Sequence, residues 1–181
     1  EIEEAGGTAV ANYDSVATPE GGENIIKTAV DNFGKVDIVI NNAGILRDKS
    51  FTKLEPANLE IVLDVHLKGA FFVSQPAFRV MKENGYGRFV FAASGAGVFG
   101  NFGQSNYGAA KAGVAGMTRC MALEGQKYGI RCFILAPVAL SRMTEDLPGF
   151  QDDSFKTKMS PGLVSPLVTF LASDLAKDMT N

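Results

Sequence analysis

Apolar residues recur at two different spacings along the chain, and the change between them predicts alternating strands and helices. Short apolar runs bounded by Gly, Asn or Pro are typical of buried parallel strands. Longer stretches with apolar residues three or four positions apart predict helices. The predicted strands are Thr8–Tyr13, Val36–Ile40, Arg88–Ala93 and Ile130–Ala136. The predicted helices are Thr18–Phe33, Pro56 to about Asn84, Asn106–Tyr128, and Pro161 or Ser165 to Asp174, and Glu1–Ala5 is expected to be the tail of another helix.

This alternation predicts an α/β fold, a doubly wound parallel sheet of the Rossmann type with helices on both faces. In that fold a glycine-rich turn after the first strand binds pyrophosphate at a helix N-terminus. No such unit precedes Thr8. We therefore expect residues 1–181 to form a single partial domain that lacks the first strands and the last strand. Such a chain should expose apolar strand positions and bind a dinucleotide weakly by itself.

The helix that begins at Asn106 carries the most distinctive chemistry. Tyr107 and Lys111 are four residues apart and therefore share one helical face. A phenol exchanges protons near neutrality only when a nearby cation favours its anion, so we expect Lys111 to lower the pKa of Tyr107. Ser94, at the end of a predicted strand, offers a hydroxyl donor for a carbonyl or alcohol oxygen. Taken alone, a core Tyr beside a solvated Lys is the commoner explanation of such a pair.

Composition narrows the function classes. The chain of 181 residues is 46% hydrophobic and 20% charged, as expected for a soluble globular domain. Its net charge is −3 without a basic run, which argues against nucleic acid or an anionic membrane as a partner. No apolar run approaches the roughly 20 residues of a membrane helix, and no signal peptide is apparent. Two cysteines and a single histidine give no metal-ligand spacing, so no metal is expected.

Five stretches together resemble the short-chain dehydrogenase/reductase family, and within it the (3R)-hydroxyacyl-CoA dehydrogenase branch found in peroxisomal multifunctional enzymes of type 2. They are Val10–Val16, Asn41–Asp48, Asp64–Gly69, Gly100–Gln104 and Ser141–Thr144. The resemblance implies an oxidoreductase that transfers a hydride between NAD and the 3-hydroxyl of a (3R)-hydroxyacyl-CoA. NADP is the alternative cofactor, because the residue that selects between them follows the second strand of the fold.

The resemblance also implies the site residues. Tyr107 would be the general acid/base, Lys111 would hydrogen-bond the nicotinamide ribose, and Ser94 would hold the substrate oxygen. His66 stands where the wider family usually has Asn, and a packed histidine or a proton relay explains it equally well. The implied cofactor contacts, besides Tyr107 and Lys111, are Asp14, Ser15 and Val16 at the adenine, Asn42, Ala43 and Gly44 at its ribose, and Ala139, Leu140, Ser141 and Arg142 at the nicotinamide or phosphate.

Other functions stay open on the sequence alone: an NADPH-dependent 3-oxoacyl carrier-protein reductase, a steroid or other secondary-alcohol dehydrogenase, and a non-catalytic domain. A small-molecule substrate is expected, with acyl-CoA preferred. The two long central helices are apolar around most of their circumference, which favours a homodimer or homotetramer with Met117 at the contact. The resemblance implies the cytoplasm for a bacterial protein and the peroxisome for a eukaryotic multifunctional enzyme.

Overall fold

Three parallel strands form a sheet in the order β1 (Ile38–Asn41), β2 (Gly87–Ala92) and β3 (Ile130–Leu135). The computed structural model describes residues 1–140 and 158–179. Ile40 of β1 pairs with Val90 of β2, which in turn pairs with Phe133 of β3. Because all three strands run in the same direction, their carboxyl ends meet at one edge of the sheet.

Helices connect and cover these strands. A π-helical turn, Asp64–Lys68, lies between α2 and α3 and makes them one continuous helical segment. Within the described ranges no helix is long and apolar enough to span a membrane. The helices are α1 (Pro19–Phe33), α2 (Pro56–Leu63), α3 (Gly69–Asn84), α4 (Ala96–Phe99), α5 (Ser105–Gly125) and α6 (Ser165–Ala172), with 3₁₀ turns at Phe51–Lys53, Gln126–Tyr128, Pro161–Leu163 and Asp174–Ala176.

Strand β2 is buried on both faces. Phe89 and Phe91 stack with ring centroids 5.9 Å apart and pack in the core that α1, α3 and α5 form with one face of the sheet. Val90 and Phe133 lie on the other face, against Leu171 of α6. Helices therefore cover both faces of a parallel sheet, which confirms the predicted α/β class.

Local sequence signals fix the ends of α1. The Thr18 hydroxyl accepts a hydrogen bond from the Gly21 amide at 3.1 Å, and Pro19 is the first helical residue. Gly34 ends the helix with φ of 77°, a conformation that favours glycine. A Cβ at Gly21 would lie 1.9 Å from the Ser15 carbonyl oxygen, so glycine is required for the preceding loop to pack on the first turn.

Arg88 holds the last described segment to the amino end of the sheet. Its buried guanidinium donates to the carbonyl oxygens of Gly87 (2.8 Å) and Gly129 (3.1 Å), and to the Asp174 carboxylate at 3.0 Å. The Tyr86 ring lies 4.4 Å from the guanidinium carbon. These contacts tie the segment that follows α6 to the end of the sheet opposite the strands' carboxyl ends.

Three predictions of local structure were wrong. Thr8–Tyr13 forms no strand, because a strand needs a hydrogen-bonding neighbour and no described strand lies beside it. Glu1–Ala5 forms a hydrogen-bonded turn instead of a helix end. In β1 the expected burial on both faces fails, since Ile38 and Ile40 are 46% and 44% exposed. Among the described residues this edge strand has a neighbour on one side only.

The predicted contact residue Met117 belongs to the core of the single chain, where it is 7% exposed. Sequence periodicity could not distinguish it from outward-facing apolar residues, because α5 is apolar on several sides. The structure instead exposes Phe71 of α3 (50%) and Leu123 of α5 (77%). An assembly through these helices would use those side chains.

Truncating the centre of β2 should destabilise the protein severely. Phe89→Ala removes a fully buried ring, and we expect a loss of about 3–5 kcal/mol in the free energy of unfolding. Phe102→Ala is the matched control, since that ring is 91% exposed and its loss should change the free energy by about 0.5 kcal/mol or less. Urea unfolding of the gene product that contains this chain measures both. Equal effects of the two substitutions would contradict the assigned core.

Candidate active site

The carboxyl ends of the strands and the start of α5 enclose an open cleft of about 680 Å³. Open α/β sheets bind ligands at this edge. Residues from six parts of the chain line the cleft. They are Asn42 and Gly44 after β1, His66 of the π-helical turn, Ala93 after β2, Tyr107 and Lys111 from α5, Pro137, Val138 and Ala139 after β3, and Pro161, Val164 and Ser165 around the start of α6. No motif in the sequence pointed to the last three.

Lys111 is buried beneath Tyr107. Its side chain is 5% exposed, its Nζ donates to the carbonyl oxygen of Ala92 at the end of β2, and it lies 5.6 Å from the centroid of the Tyr107 ring. Burial lowers the pKa of Lys111 to about 8, because desolvation disfavours the ammonium. The helical spacing of four residues therefore places the two side chains together, as the sequence predicted.

The pKa of Tyr107 shifts against the sequence expectation. Burial raises the pKa of the Tyr107 phenol, and the charge of Asp48 acts in the same direction. A hydrogen bond between Ser94 and Tyr107 lowers the pKa of the phenol and partly offsets the effect of burial. The two side chains therefore lie together, as predicted. The expected lowering of the Tyr107 pKa by Lys111 is wrong, because burial desolvates the phenol and the four-residue spacing carries no information on burial. The Ser94 hydroxyl also accepts from the Ala96 amide at 3.2 Å.

His66 is the third side chain packed against Tyr107. The two rings meet edge to face, with centroids 5.0 Å apart and planes at 84°. Nε2 of His66 lies 2.8 Å from the carbonyl oxygen of Ile45 and 3.1 Å from its amide nitrogen, while Nδ1 is buried without a hydrogen-bond partner among the described residues. Burial lowers the pKa of His66 to about 4, and the charge of Lys111 adds to this effect. The ring is therefore neutral at physiological pH.

The backbone on each side of the His66 ring has an unusual feature. His66 belongs to the π-helical turn Asp64–Lys68, and such turns occur often at functional sites. Opposite it, a Cβ at Gly44 would lie 2.5 Å from Cε1 of His66. Glycine is thus required for the turn after β1 to approach the imidazole.

Asn106 anchors the start of α5 and was missed as a site residue. It is 1% exposed, and its amide nitrogen donates to the carbonyl oxygens of Arg47 and Asn58, each at 3.1 Å. Its Oδ1 accepts from the Tyr107 amide at 2.8 Å. Its position immediately before Tyr107 is the signal that could have identified it.

The residues predicted to contact adenine and its ribose divide into three groups. Asn42 and Gly44 line the cleft. Val16 and Ala43 line a small cavity of about 20 Å³ together with His66 and Lys111. Asp14 and Ser15 line neither. The Asp14 carboxylate accepts from the side chains of Asn12 (2.9 Å) and Asn24 (3.3 Å), and the Ser15 hydroxyl from the Ala17 amide at 3.2 Å.

The residues predicted beside the nicotinamide or phosphate also divide. Ala139 lines the cleft, whereas the Leu140 amide donates to the carbonyl oxygen of Met159 at 2.7 Å. Ser141 and Arg142 lie outside the described residues. At this end the structure therefore places Ala139 in the site and uses the backbone of Leu140 to join two chain segments.

A glycine-rich run follows β2, with the spacing of a dinucleotide-binding turn at Gly95, Gly97 and Gly100. The helix it opens, α4, has only four residues and packs on α5. A Cβ at Gly97 would lie 2.8 Å from the Ala112 amide nitrogen, and one at Gly108 would lie 2.9 Å from the Ala96 carbonyl oxygen. These glycines allow two helices to approach closely, and they do not replace a pyrophosphate turn.

The cleft fits the nicotinamide half of a dinucleotide. Gly44 and Ala93 line the cleft with little or no side chain, and Lys111 supplies a buried cation beside Tyr107. Asn42 adds an amide on the β1 side. The residues described at this end therefore suit a nicotinamide and its ribose.

Comparisons with known proteins agree with this geometry. A sequence model of short chain dehydrogenases matches residues 1–148. A short-chain type dehydrogenase/reductase of Mycobacterium tuberculosis is 49% identical over 178 residues, which are 98% of this chain and 61% of that protein. Peroxisomal multifunctional enzyme type 2 of Mus musculus is 46% identical over 179 residues, 98% of this chain and 23% of the enzyme. The chain thus spans less than two thirds of either relative.

A solved structure extends the comparison to three dimensions. The crystal structure of a short chain dehydrogenase from Mycobacterium avium superposes with a TM-score of 0.86 at 40% sequence identity. The match covers 99% of this chain and 63% of that one.

His66 should make stability depend on pH between about 4 and 6.5. Its folded pKa lies below its unfolded value of 6.5, so on acidification the unfolded state binds the proton first and stability falls. The loss is at most about 3 kcal/mol, since a difference of one in pKa corresponds to about 1.4 kcal/mol. In His66→Asn this contribution disappears, so the difference in unfolding free energy between the two proteins should shrink from pH 7 to pH 4. A difference that stays constant over that range would contradict a buried neutral imidazole.

Proposed function

Because the chain belongs to the short-chain dehydrogenase family, whose members are NAD(P)-dependent oxidoreductases, we propose that the gene product containing it oxidises (3R)-hydroxyacyl-CoA with NAD. The observation that carries this proposal is the convergence of Ser94, Tyr107 and Lys111 at one end of the cleft. Similarity to a peroxisomal multifunctional enzyme over 98% of the chain, and the stretches that resemble (3R)-hydroxyacyl-CoA dehydrogenases, support the substrate.

The proposed mechanism assigns one task to each side chain. The substrate hydroxyl lies between Ser94 and Tyr107; Ser94 donates a hydrogen bond to its oxygen, and Tyr107 accepts its proton as the phenolate, an anion that burial disfavours and that the Lys111 ammonium beside it stabilises. A nicotinamide held beside Lys111 would supply the acceptor for the hydride that leaves C3 as that carbon becomes a carbonyl carbon. Lys111 holds positive charge beside the phenol and donates to the ribose hydroxyls. With a pKa of about 8, most of the Lys111 amine is protonated at neutral pH.

We assign His66 a positioning role. Its Nε2 contacts the Ile45 backbone, and its pKa of about 4 keeps the ring neutral at neutral pH, so it is not an imidazolium that could act as a general acid. The imidazole instead holds the turn after β1 at a fixed distance from the Tyr107 ring. Of the two explanations that the sequence left open, this favours the packed histidine.

The same residues serve the reverse reaction, because a group that accepts the hydroxyl proton in oxidation returns it in reduction. A 3-oxoacyl carrier-protein reductase that uses NADPH is therefore the alternative, and assays with both nucleotides in both directions separate the two. Preference for NADPH and for a carrier-protein thioester would replace the leading proposal.

Tyr107→Phe should abolish turnover while leaving the fold intact. The ring stays packed against His66, but the proton acceptor is gone, so we expect kcat to fall at least about 100-fold. Tyr13→Phe is the matched control, because Tyr13 is 95% exposed and the same atom is removed. Steady-state oxidation of a (3R)-hydroxyacyl-CoA measures both. Normal turnover in the Tyr107→Phe variant would refute the assigned proton acceptor.

We also propose that the gene product is a homodimer, or a homotetramer built from such dimers, in which α3 and α5 pack against their copies. Phe71 and Leu123 are exposed apolar side chains on these helices, and α5 also exposes the small residues Ala112 and Gly116. Small residues let helices approach closely around a twofold axis, the commonest oligomer symmetry.

Charge placed on this surface should dissociate the assembly. Phe71→Glu puts a carboxylate in the proposed contact, and we expect a shift toward monomer at micromolar concentration. Phe33→Glu on α1, where the ring is 47% exposed, is the control and should leave the mass unchanged. Light scattering reports the mass of each protein. An unchanged oligomer in Phe71→Glu would place the contact elsewhere.

A further inference from the structure

The loop from Arg47 to Lys53, here the carrier loop, concentrates positive charge around an exposed aromatic ring. Arg47, Lys49 and Lys53 are exposed, and none of them forms an ion pair with another described residue. The loop's single carboxylate, Asp48, accepts from the Gln104 amide at 2.7 Å. Phe51 lies between the two lysines in the sequence and is 81% exposed. The loop therefore presents an exposed aromatic ring and two lysines without described ion-pair partners in one short segment.

The carrier loop is fixed close to Tyr107. The Lys49 amide donates to the carbonyl oxygen of Gly103 at 2.9 Å, and Asn106, the neighbour of Tyr107, donates to the carbonyl oxygen of Arg47 at 3.1 Å. Phe51 is two positions from Lys49, and Tyr107 is four positions from Gly103. At about 3.6 Å per position the Cα atoms of Phe51 and Tyr107 therefore lie within roughly 25 Å of each other.

We propose that the carrier loop binds the adenosine phosphate end of a coenzyme A thioester, with Phe51 stacked on the adenine and Arg47, Lys49 and Lys53 facing its phosphates. This assignment rests on the proposed function, since it concerns the carrier of the same substrate. An aromatic ring binds a nucleobase by stacking regardless of base identity. Cations placed beside it neutralise phosphate oxygens through charge-assisted hydrogen bonds. The pantetheine arm, extended, would bridge the distance from the loop to Tyr107.

An acyl carrier protein presents the same pantetheine arm from an acidic protein surface. It carries a phosphate but no adenine at the end of the arm, so it would leave Phe51 without a stacking partner. The ring between the cations therefore favours coenzyme A, and the carrier-protein thioester becomes one arm of the test.

The test compares substrates that share the reacting carbon and differ in the carrier. The (3R)-hydroxyacyl thioester of coenzyme A is compared with that of N-acetylcysteamine, which lacks adenine and phosphates, and with that of an acyl carrier protein as the third arm. For Phe51→Ala, and for the double variant Lys49→Gln/Lys53→Gln, kcat/KM with the coenzyme A thioester should fall roughly tenfold, mostly through KM. With the N-acetylcysteamine thioester it should stay within about twofold.

The control is Lys82→Gln/Lys127→Gln, which removes the same charge from the pair of lysines that flank the Tyr128 ring at 4.8 and 5.0 Å. This double variant should leave kcat/KM unchanged with every thioester tested. Equal losses with both thioesters in the carrier-loop variants, or no loss with either, would overturn the proposal. A loss confined to the carrier-protein thioester would assign the loop to that protein instead.

Direct binding separates failure of this proposal from failure of the proposed function. If neither thioester is oxidised, the function is wrong, and calorimetric titration of coenzyme A in saturating NAD still tests the loop. Binding that weakens roughly tenfold in Phe51→Ala, and is unchanged in the Lys82→Gln/Lys127→Gln control, would support it. Equal binding by Phe51→Ala and the unaltered protein, or no binding by either, would refute it.

Discussion

The hydrogen bond from Lys111 to the carbonyl oxygen of Ala92 joins the helix that carries Tyr107 to the strand that is buried on both faces. Strand β2 is held by aromatic stacking on one side and by α6 on the other, so its carboxyl end is a fixed point. Its hydrogen bond to Ala92 positions the Lys111 side chain at the end of β2, where the side chain is buried. The same burial lowers the pKa of Lys111 to about 8 and raises the pKa of Tyr107. Geometry and acid–base properties at this site thus have one cause.

Much of the fold could be predicted from the sequence because its signals are local. Thr18, Pro19 and Gly34 specify the ends of α1, and the Tyr107–Lys111 spacing specifies a shared face. Which strands pair and which side chains are exposed depend on residues far apart in the sequence, so these features have no local signal. Thr8–Tyr13 has strand composition but no neighbouring strand among the described residues, and Met117 has the same apolar character whether it faces the core or a partner.

The parts of the site that the sequence did not predict depend on contacts between distant residues. The π-helical turn around His66 has no signature in the pattern of apolar positions, and its purpose is visible only where Nε2 meets the backbone of Ile45. Asn106 is likewise an ordinary helix-start residue until its amide is found bonded to Arg47 and Asn58. Both side chains connect the loop after β1 to the surroundings of Tyr107. That loop is therefore part of the site and not only a connection between elements.

The most direct test of the central claim follows the hydride itself. The gene product that contains this chain is incubated with NAD and a (3R)-hydroxyacyl-CoA deuterated at C3, and the nucleotide and thioester are analysed by mass spectrometry. The account predicts stoichiometric transfer of deuterium to the nicotinamide and formation of the 3-oxoacyl thioester, with no transfer from the 3S enantiomer. Label retained at C3 of the 3R substrate, or transferred from the 3S substrate, would contradict it.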